Sequence, residues 1–149
     1  MSPLLQRITT ALLVLLVAAC AGPATKPAPI QDQTINLAGQ CAQREADGFR
    51  EQASLTIRNN QVQALDWQIW VGNQGSCSFK LSHFKQTKSH PHIELIAQDN
   101  SGCKLMVWQE PRRITLAHAN CERACTGDVY AQAWPVMFEP RDGSCAQRN

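Results

Sequence analysis

Through the middle of the chain apolar and polar residues alternate one by one, the period of half-buried strands. Ala53, Leu55 and Ile57 share one face against Ser54, Thr56 and Arg58, and Leu65, Trp67, Ile69 and Val71 share the face of the next segment. Asn59-Asn60 between them is a turn signal. Val62 and Ala64 fall on the other parity, which predicts a bulge near Ala64. After the turn Gly72-Asn73-Gln74-Gly75, the residues Cys77, Phe79, Leu81 and His83 predict a third strand over 76–83, while the polar run 85–91 reads as a loop. Ile93, Leu95 and Ala97 resume the alternation before the turn Asp99-Asn100-Ser101-Gly102. Cys103, Leu105 and Val107 then oppose Lys104, Met106 and Trp108, a strand expected to be covered on both sides. Ile114, Leu116 and His118 oppose Arg113, Thr115 and Ala117 in the next.

The pattern changes at Asn120, where a capping residue before and Gly127 behind the run Cys121–Thr126 predict one or two helical turns. A last strand over 129–138 carries Pro135, the mark of an edge or a bend. The segment 41–51 mixes charges around Gly48 without a period and reads as irregular. Short strands at about ten-residue spacing predict a mainly β domain over 35–149: a small antiparallel β-barrel or sandwich with one short helical turn.

Ahead of this domain, ALLVLLVAAC from Ala11 to Cys20 is an uncharged apolar run that follows Arg7 and ends on small residues. That is the build of a secretory leader, and about half the roughly 20 residues a membrane-spanning helix needs. Val17-Ala18-Ala19-Cys20 resembles the lipobox of bacterial outer-membrane lipoproteins. The resemblance implies that residues 1–19 are removed and that Cys20 becomes the lipidated first residue. With Ala21 rather than Asp following it, the resemblance also implies an outer-membrane address, facing the periplasm or the cell surface. Two or more acyl chains anchor stably, at about 0.8 kcal/mol per buried methylene. From 20 to 34, Pro23, Pro27 and Pro29 favour an extended tether that can hold the domain about 40 Å from its anchor.

Fourteen Lys and Arg stand against 12 Asp and Glu; with Arg7 removed, 13 against 12 leaves +1. Such near-neutrality argues against a nucleic-acid binder. Six domain cysteines remain, Cys41, Cys77, Cys103, Cys121, Cys125 and Cys145, and in an exported chain an even number reads as a disulfide framework. Fifteen pairings are open. Cys77 and Cys103 each follow a glycine-bearing turn and open a strand, so a curled sheet would join them. That leaves Cys41, Cys121, Cys125 and Cys145 to tie the termini to the helical turn. Cys121 and Cys125, four apart on one turn, are poorly placed to bond each other and are expected to reach different elements.

His90 and His92, two apart, project to one side of an extended chain and could begin a metal site, but no third ligand is implied. His118-x2-Cys121-x3-Cys125 has a zinc-like look that export overrides. Ser82-His83 with Asp66 or Asp99 has no spacing that implies a triad, and no nucleophile elbow, phosphate loop or metalloprotease motif is present. The chain therefore reads as a non-enzymatic protein without a cofactor. Lys80, His83, Lys85, Lys88, His90 and His92 make a locally basic stretch with no acid between Asp66 and Glu94, which Arg112 and Arg113 extend. The plainer reading is a solvated hairpin. The sharper one is a patch for lipid phosphates, peptidoglycan carboxylates or an acidic protein cleft. Trp70 stands apart from the other tryptophans in opposing the apolar face of its strand.

A tethered envelope lipoprotein with a small disulfide-bearing β domain resembles the bacterial lysozyme-inhibitor lipoproteins. In that family a serine and a basic residue on an inserted loop meet the catalytic carboxylates. The local echo here is Ser101-Gly102 followed by Lys104. The resemblance implies a binding protein that shields the envelope from a lysozyme or toxin. The competing expectation is a structural accessory lipoprotein of an outer-membrane assembly or secretion complex.

Overall fold

The structure, a computed structural model, describes residues 28–147. Four strands form the first sheet in chain order: β1 (Leu37–Arg44), β2 (Phe49–Arg58), β3 (Gln61–Val71) and β4 (Gly75–Lys80). A 3-10 turn, Leu81–His83, carries the chain across to the second. There β5 (Phe84–Lys88), β6 (Ile93–Ala97), β7 (Lys104–Glu110), β8 (Arg113–Ala119) and β9 (Val136–Phe138) again lie in chain order. Every neighbouring pair is antiparallel, as short connections require. The sheets do not close into a barrel, so of the two expected architectures the sandwich is the one formed.

Asn59 and Asn60 both take positive φ, 48° and 62°, and link the paired residues Arg58 and Gln61. A two-residue loop with that geometry matches strand twist, which is why asparagine serves there. The expected bulge is present: Ile57 faces Val62 and Thr56 faces Ala64, leaving Gln63 as the extra residue. The alternating apolar faces meet between the sheets. Leu55, Trp67, Ile69 and Phe79 from the first pack with Leu95, Leu105, Ile114, Leu116 and Phe138 from the second, all fully buried. One carboxylate lies among them. Glu51 accepts a hydrogen bond from Trp67 Nε1 at 2.9 Å and another from the Gln43 amide.

Several boundaries differ from expectation. The segment 41–51, read as irregular, holds the end of β1 and the start of β2, and β1 as a whole was not expected; its inward positions are Leu37, Gly39 and Cys41. Gly39 must lack a side chain, since a Cβ there would come within 2.7 Å of the Phe138 ring, and so small a residue conceals the alternation. The third strand stops at Lys80, and the polar run read as a loop contains β5. As an edge strand, β5 buries only Phe84 and keeps Lys85 and Lys88 outside. The strand expected over 129–138 is a 3-10 turn, Tyr130–Gln132, followed by the short β9. Burial on both sides falls to β8, where Thr115 and Ala117 are covered along with Ile114 and Leu116; β7 is buried on one side.

All six domain cysteines are bonded, but Cys77 does not meet Cys103. The bonds are Cys41–Cys145, Cys77–Cys125 and Cys103–Cys121, with Cα separations of 4.7, 4.0 and 4.4 Å. Cys77 belongs to the first sheet and Cys103 precedes a strand of the second, with the 3-10 turn Glu122–Ala124 between their partners. Cys121 and Cys125 flank that turn and do reach different elements. Cys41–Cys145 joins the two ends of the domain to each other, not to the turn. The three bonds are nested, each inside the next along the chain.

Candidate functional site

Strand register places the expected basic residues. On the outer face of the second sheet, Lys85, Ile96 and Lys104 lie opposite one another across β5, β6 and β7. In the adjacent row Lys88 faces Glu94, which faces Met106 and then Ala117. A third row carries Trp108, Thr115 and Met137. Glu94 draws Lys88 and Lys104 together, with His92 at the edge of the cluster. Its carboxylate lies 3.2 Å from Lys104 Nζ, 3.5 Å from Lys88 Nζ and 4.0 Å from His92 Nε2. The Glu94 side chain is only 9% exposed while Lys88 is 52% exposed, so the acid sits beneath and the ammonium groups face outward. Burial works against the Glu94 charge, but the Lys104 hydrogen bond, the charges of Lys104 and Lys88 and the Thr87 hydroxyl outweigh it. They hold the carboxyl below the usual glutamate value of 4.5.

One acid among Lys85, Lys88, His92 and Lys104 leaves an excess of positive charge along this side. Towards β8 and β9 the same face turns apolar, with half-buried Met106, Trp108 and Met137 over the small residues Thr115 and Ala117. A cationic border thus adjoins a Met and Trp centre on one face of the sheet.

Other residues singled out in the sequence are dispersed. Lys80 is on the first sheet opposite Asp66. His90 bonds Asp32 at 2.6 Å through Nδ1 and lies 3.4 Å from the Asn60 amide, whereas His92 turns to Glu94. The two imidazoles thus part rather than sharing a ligand. Asp32, with Gln33 donating to the Gln109 carbonyl at 3.4 Å, also shows that the last residues read as tether lie on the domain. Residues 1–19 and Cys20 lie outside the described residues. Arg113 pairs with Glu110, and Arg50 stacks on Trp70 with 4.5 Å from guanidinium to ring centroid. The Ser101 and Lys104 echo separates, Ser101 into a turn and Lys104 onto the Glu94 cluster. Among the described residues no group of three His, Cys, Asp or Glu comes together as a metal site.

His118 faces inward against Trp67, Phe79 and Tyr130. Its Nε2–H donates to the Ala133 carbonyl at 2.8 Å, leaving Nδ1 to accept from the Tyr130 hydroxyl, which itself accepts from Cys121 N–H. Both ring nitrogens are occupied and Cys121 and Cys125 are oxidised, so the zinc-like spacing builds no site. Burial pushes the His118 pKa down, against smaller upward effects of Ala133 and Glu122.

A separate cleft of about 600 Å³ opens where the chain crosses between sheets, lined in part by Ser82, His83, Phe84, Asp99, Ser101 and Arg123. Ser82, His83 and Asp99 all line it, and among the described residues no hydrogen bond links the His83 ring to either of the other two. Sequence reading passed over Glu94, Met106, Trp108 and Arg123. The outward parity of Lys104, Met106 and Trp108 and the cysteines flanking Arg123 were the available signals. Comparison of the chain with family models, curated proteins and solved structures finds no match.

Proposed function

We propose that this chain is a lipid-anchored envelope binding protein that docks an acidic protein surface, such as the cleft of a lysozyme or secreted toxin, on the outer face of its second sheet. The observation that carries the reading is the convergence of Lys88, His92 and Lys104 on the buried Glu94, beside Met106 and Trp108. Lysines on an edge strand can serve only to discourage strand pairing. His92 and Lys104 lie at the interior strands, where that purpose does not apply, and the acid beneath fixes their heads in place. The nested disulfides keep the face rigid, which lowers the ordering cost of association. Lipidation of Cys20 would hold this face at the envelope, where such enzymes act.

The test is a pull-down from detergent-solubilised membranes with lysozyme added, comparing the parent chain with Lys85→Glu/Lys88→Glu. Retention of lysozyme by the parent and its loss in the variant is expected. Recovery of an outer-membrane complex by both chains, with no lysozyme, would favour the accessory-protein reading.

A further inference from the structure

The cleft at the crossover is built from segments that the disulfides fix relative to one another. Arg123 lies in the 3-10 turn Glu122–Ala124, between Cys121, bonded to Cys103, and Cys125, bonded to Cys77. One bond leads to the second sheet and the other to the first. Asp99 lies in the turn that ends at Cys103. Its Oδ1 accepts the Ser101 N–H at 2.9 Å, and the Ser101 hydroxyl also serves it. A carboxylate offers about four acceptor sites, so capacity remains for a ligand.

Arg123 and Asp99 feel each other's charge across the cleft, yet they do not meet within 4.0 Å, and among the described residues Arg123 has no ion-pair partner. Both side chains are exposed, so each charge is open to a ligand entering the cleft. They stand on segments that the disulfides tie to one another, and Phe84, Ala97 and Ala124 add apolar lining to the same cleft. Gln98 is not part of the recognition set, because its amide is used on the Ser82 and Phe84 carbonyls. Volume, a few convergent polar groups and an apolar lining are the features of small-ligand pockets.

We propose that this cleft binds a small zwitterion, an amino acid or short peptide with free ends, whose ammonium group meets Asp99 and whose carboxylate meets Arg123. Arg123 can receive a carboxylate through two parallel hydrogen bonds. The site is distinct from the basic outer face and does not depend on it.

The experiment is calorimetric titration of the oxidised full chain in detergent with alanyl-alanine. N-acetyl-alanyl-alanine, which lacks the ammonium, and alanyl-alanine amide, which lacks the carboxylate, are the controls. Saturable one-to-one binding is expected, at least tenfold weaker for either blocked peptide. It should also weaken at least tenfold in Asp99→Asn, which keeps the oxygen that accepts from Ser101, and in Arg123→Gln. No saturable binding of alanyl-alanine would overturn the proposal. So would binding that is indifferent to both substitutions or that depends on only one of the two charges.

Discussion

Replacing Cys77 and Cys125 together by alanine removes the bond that pins the edge of the first sheet to the 3-10 turn. The two cysteines are 48 residues apart, but Cys103–Cys121 already spans 18 of these, so 48 less 18 leaves an effective loop of about 30. In the chain-entropy account, freeing such a loop in the unfolded state costs about 3.5 kcal/mol at 25 °C. Cys77 is 1% exposed, and the space left by its sulfur adds up to about 1 kcal/mol. For a domain of this size the total corresponds to a fall of about 15–20 °C in Tm. The assay is thermal unfolding followed by tryptophan fluorescence, with non-reduced peptide mapping of the same sample. The variant should keep Cys41–Cys145 and Cys103–Cys121 intact. A loss below about 1 kcal/mol, or a free Cys103 thiol, would refute the nested arrangement.

Trp67→Phe withdraws the indole N–H from the buried Glu51 and should cost about 2–4 kcal/mol in urea unfolding, more than a ring truncation without a polar partner. Glu94→Gln should cost about 1 kcal/mol at pH 7. Because its folded pKa is depressed, the Glu94 contribution is present above 4.5 and lost as the pH falls through the lower folded value, so the variant should flatten this limb of a stability–pH curve. His118 acts in a higher window. Its folded pKa lies below 6.5, so the unfolded chain binds the proton first and stability should decline as the pH drops below 6.5; His118→Gln should remove that slope.

The strand pattern was legible wherever large residues alternated, as in β2, β3 and β6, and Asn59-Asn60 marked the turn between two of them. It was concealed in β1, where Gly39 yields its inward position to Phe138, and in β5, where an edge strand buries one large side chain. The crossover at Leu81–His83 continued the parity of β4 by chance and so read as more strand. Disulfide partners were hidden for a different reason. Pairing depends on which sheet each cysteine joins, and the alternation that places a cysteine inward is the same in both sheets. Of the candidate face, the lysines were visible as a run of charge. Their organiser was not, because Glu94 becomes a partner of Lys104 only through the β6–β7 register. The cleft at Asp99 and Arg123 required the disulfides as well.

The most direct test of the proposed docking face is the affinity of the oxidised chain for lysozyme as ionic strength is raised, measured for the parent and for Lys85→Glu/Lys88→Glu. Exposed charges act over about 10 Å at 0.1 M salt and about 3 Å at 1 M. The parent should therefore bind at low salt and weaken steadily with added salt, and the double reversal should weaken low-salt binding at least tenfold. An affinity that changes with neither salt nor charge reversal would contradict the assignment of this face.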